Sequence, residues 1–257
     1  MPAVSYAWEA FFSSAQLRRW SEAIDLRFSC RKFKAPADIQ QKSALHYAAA
    51  RAGLPGVRLM LGDCDCNRLF FSLPFVERIE YASQFAAVII DKSAPRAALH
   101  AGIAGQALAL EMTSLQLGSC WVAGNFHRSA VDIPLESSER IAAVMPLGQP
   151  QNPEGASLRR RKPLRELCLD DPADWPLWAF QAAENVRSAP SAINAQPWRF
   201  SFSGNTLRLS GRHLDSLDFG IAILHIECAL RDIPHRWRRS ADDKGLLIAL
   251  EETNDAV

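Results

Sequence analysis

Apolar residues recur at helical spacing over 16–26 (QLRRWSEAIDL), where Leu17, Trp20, Ala23 and Ile24 share a face. The pattern breaks at the polar run Arg27-Phe28-Ser29-Cys30-Arg31-Lys32, so a helix delivers a basic turn. A second helix is predicted over 37–53, with Asp38 near its start and Gly53 ending it before Pro55. Short strands over 57–61 (VRLML) and 84–90 (QFAAVII) follow. The segment 97–117 is the longest helix, with Gly118 as its stop. Its first turns crowd Ala101, Gly102, Ala104 and Gly105 together, which lets another backbone or a flat ligand approach closely. Residues 119–124 and 141–148 (IAAVMPLG) read as buried strand or strand-to-loop segments. A polar stretch over 149–163 ends in Arg159-Arg160-Arg161-Lys162-Pro163.

After Trp175 the pattern restarts: a helix at 176–188, a loop, strands at 198–202 and 206–210, a helix at 218–231 and a strand at 245–250 (GLLIAL). An alanine-rich helix, a proline-containing turn and a strand occur both at 47–60 and at 182–202. Leu99-His100-Ala101-Gly102-Ile103-Ala104 likewise parallels Leu217-Asp218-Phe219-Gly220-Ile221-Ala222. Together these pairings suggest a divergent internal duplication.

The chain has 257 residues, 48% hydrophobic and 22% charged, enough for a sizeable core. Its net charge of +1 gives no reason to expect nucleic acid or an anionic membrane as partner, so any anion site must be local. Six scattered cysteines and an N-terminus without a signal-like pattern favour a reducing, cytoplasmic setting. The longest apolar runs fall well short of a membrane span, which needs about 20 residues.

Three groups of residues carry candidate chemistry. Arg27, Ser29 and Arg31 alternate across one turn, so two guanidinium forks and a hydroxyl can converge on an oxygen-rich group; the alternative is a solvated basic helix end. In Ala189-Pro190-Ser191-Ala192-Ile193-Asn194-Ala195-Gln196-Pro197-Trp198, two prolines bracket a hydroxyl and two carboxamides, which offer donor and acceptor together. An ordinary loop with Ser191 or Asn194 bonding its own backbone is the other reading. The cationic run Arg159 to Lys162 is either a phosphate clamp or a solvated loop. The six histidines form no HExxH pair, and Cys64-Asp65-Cys66 has no second pair at zinc-finger spacing, so no metal is expected. The serine-hydrolase elbow, the P-loop and the full GxGxxG are absent too.

The order RFSCRKF, HAGIAGQALALEMTSLQLG, SCWVAG, MPLGQP and RRRKPLREL resembles the course of the nitroreductase family. APSAINAQPWRF is similar to that family's Pro-Ser turn leading to Asn, then Gln-Pro-Trp and a strand; together the matches span about residues 20–225. The resemblance implies an α+β fold, with mixed or antiparallel sheets flanked by helices, and FMN at the junction of two subunits or pseudo-subunits. Carried over to this sequence, Arg27, Ser29 and Arg31 hold the phosphate and ribityl chain, with Phe28 giving backbone contacts. Pro190, Ser191, Asn194 and Gln196 line the ring, and Val122, Ala123 and Gly124 face it from the other side. Arg159 and Arg161 match the family's late basic residues on the phosphate, with the choice among Arg159 to Lys162 open.

The sequence departs from the usual family order. The Pro-Ser-Asn-Gln motif normally follows soon after the Arg-Ser-Arg turn, yet the early position reads Ala52-Gly53-Leu54-Pro55-Gly56. The second half has the motif but no such turn before it, so each half carries what the other lacks. This resembles a single-chain, internally duplicated branch of Thermotoga type, with 1–170 and 171–257 as two nitroreductase-like halves fused as a pseudo-dimer. One FMN per chain and a functional monomer are expected. NAD(P)H is the implied electron donor and a flat nitroaromatic or quinone the implied acceptor, with no protein acid or base assigned as catalytic. Other FMN-dependent redox chemistry, or FMN binding or sensing without catalysis, is the alternative.

Overall fold

The computed structural model describes residues 6, 8–9, 11–72, 74, 77–155 and 160–251. In chain order these form α1 (Ser14–Leu26), β1 (Phe33–Ala35), α2 (Ile39–Arg51), β2 (Val57–Asp63), α3 (Cys66–Leu69), β3 (Gln84–Asp91), α4 (Ala97–Ser114), β4 (Gly118–Ser119) and β5 (Glu139–Pro150). There follow α5 (Leu164–Leu167), α6 (Leu177–Arg187), β6 (Arg199–Ser203), β7 (Thr206–Ser210), α7 (Leu217–Ala229), β8 (His235–Arg239) and β9 (Gly245–Leu250).

One antiparallel sheet runs β1-β5-β3-β2, with β4 also on β5; the other runs β6-β7-β9-β8. β3 and β5 are buried almost throughout, which is why FAAVII and IAAVMPLG are continuous apolar runs rather than alternating ones. β6 and β7 meet at Gly204-Asn205, both left-handed as a two-residue hairpin turn requires. The fold is therefore α+β, with antiparallel sheets flanked by helices.

Between the sheets lie α4 and α7, whose backbones touch at Gly102 and Gly220. A Cβ on Gly102 would overlap the Leu217 carbonyl oxygen and stand 2.9 Å from Gly220 Cα. One on Gly220 would overlap the Leu99 carbonyl oxygen and stand 2.8 Å from Gly102 Cα. The small residues at the start of α4 thus admit a helix backbone at Gly102, while at Gly105 they admit the Trp121 indole, 2.9 Å from the position of a Cβ at its Cζ2. The core under the second sheet takes in Trp8, Leu17, Trp20 and Ile24 along with Phe219, Trp198 and Trp237, so α1 packs with elements from the far end of the chain.

Two helix ends lie elsewhere than the sequence predicts. α4 closes before Gly118, with the left-handed residue at Gln116 (φ 62°); Gly118 instead opens β4, where a Cβ would press on Cys30. α2 ends at Arg51, and the left-handed glycine before β2 is Gly56 (φ 74°) rather than Gly53. The start at Asp38 holds: its carboxylate accepts from Gln41 N–H at 2.8 Å and the Gln41 side chain accepts from Asp38 N–H at 3.0 Å. β8 (HRWRR) escapes the sequence pattern because its solvent-facing positions are arginines, a charge pattern that protects sheet edges.

β8 is tied to α7 by His235 Nε2 donating to Glu227 Oε1 at 3.2 Å, while Trp237 Nε1 donates to the same oxygen at 2.6 Å. Burial disfavours the charged imidazole, but the Glu227 hydrogen bond and charge outweigh it and raise the His235 pKa above its ordinary value. A raised folded pKa stabilises fully below the unfolded value of about 6.5, and that stability is lost as pH rises through the folded pKa. Urea midpoints are therefore expected to fall on going from pH 6 to 9, by less in Glu227→Gln. An equal fall in both proteins would show that the pair does not titrate.

Candidate cofactor site

Arg27 caps α1 in extended conformation (φ −68°, ψ 131°), its N–H bonded to Ala23 O, and is 3% exposed. The chain then runs beside β4: Ser29 bridges Ser119, and Cys30 N–H donates to Ser119 O at 2.9 Å. Arg31 Nη1 donates to Ser29 O at 3.3 Å and lies 3.6 Å from the Glu77 carboxylate. Both guanidinium groups act electrostatically on the Cys120 thiol, whose Sγ donates to Trp121 O at 3.7 Å. Burial raises the Cys120 pKa; Arg31, Arg27 and Ser29 oppose it. Cys30 next to it is pushed up to about 12, mainly by burial, so neither sulfur is a thiolate at neutral pH. Phe28 turns its ring toward Gly155, where a Cβ would come within 2.9 Å of Cζ.

The second group occupies the Pro190–Pro197 loop. Ile193, Asn194 and Gln196 are all left-handed (φ 47°, 57° and 48°), and each such non-glycine residue costs on the order of 1–3 kcal/mol, which the surroundings must offset. Ser191 Oγ accepts from Gln196 N–H at 2.9 Å, the local bonding that an ordinary loop also shows. Arg161 Nη1 donates to Asn194 Oδ1 at 2.9 Å and Asn194 Nδ2 to Arg160 O at 3.0 Å. Lys162 N–H donates to Gln196 Oε1 at 3.1 Å, and Lys162 Nζ to Ala195 O at 2.8 Å. Arg161 also reaches Ser188 O at 3.3 Å. At the far side Ala192 N–H donates to Asp218 Oδ1 at 3.0 Å, at the start of α7. Burial raises the Asp218 pKa, against that hydrogen bond.

Ser29 and Arg31 thus network with β4 and Glu77, whereas Asn194 and Gln196 network with residues 160–162. The chain joining them passes Phe28 at Gly155 and meets the loop at Arg160; Arg159 lies outside the described residues. Val122 is buried and paired with Val144 in both directions at 2.9 Å. Ala123 and Gly124 beyond it are exposed, and a Cβ on Gly124 would meet nothing within 4 Å. That leaves open space over a backbone face. Among the described residues no group of three His, Cys, Asp or Glu side chains could hold a metal, and no helix is long and apolar enough to cross a membrane.

Sequence reasoning passed over Cys120, Asp218 and Glu77. Cys120 stands inside SCWVAG, and Asp218 inside the repeated Leu-x-x-Gly segment, but Glu77 is fixed only by the tertiary path of the loop before β3.

The family model described as "Putative TM nitroreductase" matches residues 20–230. The chain belongs to this nitroreductase family. Among solved structures, a Thermotoga maritima "putative nitroreductase" superposes with a TM-score of 0.61 at 19% identity, covering 90% of this chain and 93% of its own. A Desulfovibrio desulfuricans "putative nitroreductase in complex with FMN" gives a TM-score of 0.47 at 22% identity over 61% of this chain and 98% of its own. A Clostridium difficile "FMN-dependent nitroreductase" gives 0.42 at 20% identity over 51% and 87%. No curated protein matches. The Thermotoga match establishes the fold, and membership in the family supports an oxidoreductase role.

Proposed function

We propose that the chain is an FMN-dependent oxidoreductase that takes electrons from NAD(P)H and delivers them to a flat acceptor such as a nitroaromatic or a quinone. The observation that carries this reading is the Arg27–Arg31 turn laid against β4, where Ser29 bridges Ser119, Arg31 folds back on Ser29 O and Arg27 is almost wholly out of water. Planar guanidinium forks with a hydroxyl suit a phosphate. FMN, when bound, supplies the reversible redox chemistry, and the protein supplies position and electrostatics.

In this reading Arg27, Ser29 and Arg31 hold the phosphate and ribityl end, with Phe28 beside them. Pro190, Ser191, Asn194 and Gln196 line the ring, and Val122, Ala123 and Gly124 offer the facing backbone. Arg161 is allotted to the loop: its bonds to Asn194 and Ser188 hold a strained segment in the shape that presents the carboxamides. The reciprocal crossing of Gly102 and Gly220, in which each glycine meets the other's Leu carbonyl, is what two halves related by a two-fold axis produce. It supports two fused halves, 1–170 and 171–257, with one composite site per chain and a functional monomer.

The purified protein is expected to show the visible absorbance of oxidised flavin, to hold one FMN per chain against an independent protein assay, and to bleach anaerobically on adding NADPH or NADH. Two FMN per chain would refute the composite site. A protein that neither carries FMN nor takes it up would remove the flavin reading, and bound flavin that no nicotinamide reduces would remove the donor.

A further inference from the structure

A chain of hydrogen bonds links α4 and α7 and ends at Trp121 and Asn185, which precede the two segments assigned to the ring. Trp121 Nε1 donates to Gln106 Oε1 at 3.0 Å, and Gln106 Nε2 meets His225 Nε2 at 3.0 Å. His225 Nδ1 meets Asn185 O at 2.9 Å, and Asn185 Nδ2 donates back to His225 O at 3.0 Å. Gln106 on α4 and His225 on α7 are both 0% exposed.

The direction of the chain is fixed by chemistry. A backbone carbonyl only accepts, so His225 carries a proton on Nδ1; an indole N–H only donates, so Gln106 turns its oxygen to Trp121 and its NH2 to His225. His225 Nε2 then accepts, and the ring is neutral. Turning the amide over would set two donors against each other at Trp121. Packing alone does not call for these groups, since α4 and α7 already close at Gly102 and Gly220, and buried polar groups are costly unless every member is satisfied.

The two ends explain the expense. Trp121 directly precedes Val122-Ala123-Gly124, and its indole is held by the Gln106 bond and by the space left where Gly105 lacks a Cβ. Asn185 lies in the last turn of α6, where its carbonyl also accepts from Ser188 N–H at 3.2 Å, immediately before the Pro190 loop. We propose that Gln106 and His225 are positioning residues, which fix the Val122–Gly124 wall and the Pro190–Gln196 loop relative to each other and so set the width of the slot that takes a planar ring. This rests on the flavin reading above.

The test measures the affinity of FMN and of riboflavin, which lacks the phosphate, for the wild type, Gln106→Met, Trp121→Phe and the double variant. Gln106→Met is expected to weaken both flavins alike by about tenfold, the order expected for unpairing one buried donor. Because Gln106 acts through the indole N–H, the double variant should bind no more weakly than Trp121→Phe alone. A merely structural weakening would be additive, and additivity overturns the proposal. So does an unchanged riboflavin affinity, or a loss confined to FMN. If Gln106→Met shows no cooperative thermal transition, Trp121→Phe against wild type decides, and undiminished riboflavin binding overturns the proposal. A wild type that binds neither flavin fails the underlying reading and this inference together, whereas a wild type that binds while the variants match it fails this inference alone.

Discussion

Gly102→Ala is expected to destabilise the protein by about 3 kcal/mol or more, against the rule that Gly→Ala in the middle of a helix stabilises it by about 1 kcal/mol. The new methyl group would lie inside the Leu217 carbonyl oxygen and 2.9 Å from Gly220 Cα. Both are backbone atoms of the facing helix. No side chain can rotate away, so relief comes only from parting α4 and α7. These helices contribute Ile103, Leu110, Phe219, Ile223 and Ile226 to the core under the second sheet, and parting them exposes or loosens that packing. Gly220→Ala meets the mirrored obstacles, the Leu99 carbonyl oxygen and Gly102 Cα, so it should cost about as much. Gly124→Ala, with nothing within 4 Å of the added carbon, is the control and should stay within about 0.5 kcal/mol of the parent. Urea midpoints of the three variants check this. A Gly102→Ala protein as stable as the parent would mean that the helices cross further apart than this and that the reciprocal contact is not a structural seam.

The same glycines show how far the sequence could be read. Leu99 to Ala104 and Leu217 to Ala222 were legible as a repeated small-residue pattern, and a close approach followed from the missing side chains. What approached was not legible, because spacing says that room exists and only the tertiary path says that α7 fills it at Gly102 and Trp121 at Gly105. The long elements α1, α2, α4, α6 and α7 all form where they are expected, α1 from its apolar spacing, α2 from its end signals, and α4 and α7 as long, almost wholly buried apolar runs, with ends adjusted by a few residues. β8 did not, since its buried Trp237 is the lone strongly apolar residue among four basic ones. At the candidate site, the sequence singled out both the Arg27–Arg31 turn and the Pro190–Pro197 loop as constrained segments. It left Arg161 among four equivalent cations; in the structure its guanidinium bonds Asn194 and Ser188, and the Lys162 ammonium bonds Ala195 in the same loop. It gave no hint of Glu77, whose carboxylate reaches Arg31 from a loop 46 residues away in sequence.

That carboxylate separates the expected effects of the two arginines. Arg27→Ala and Arg31→Ala together are expected to weaken FMN binding by about 10²- to 10⁴-fold, because hydrogen bonds to charged groups contribute roughly 1.5–3 kcal/mol each. Arg27 is 3% exposed, so its charge acts where water screens it little, and its loss should be the larger of the two. Arg31 is about a third exposed and shares its charge with Glu77 at 3.6 Å. An anion arriving there competes with that carboxylate, which lowers what Arg31 contributes on balance and makes its contribution fall with added salt. Glu77→Gln should accordingly tighten FMN modestly in the parent and not at all in Arg31→Ala. Riboflavin supplies the decisive comparison: without a phosphate it should weaken far less than FMN in the Arg27→Ala, Arg31→Ala protein, so that FMN loses its advantage. Fluorescence titrations with the two flavins at low and high salt measure all of this. If riboflavin weakens as much as FMN, the arginines serve the fold or the ring end, and the phosphate belongs elsewhere in the molecule.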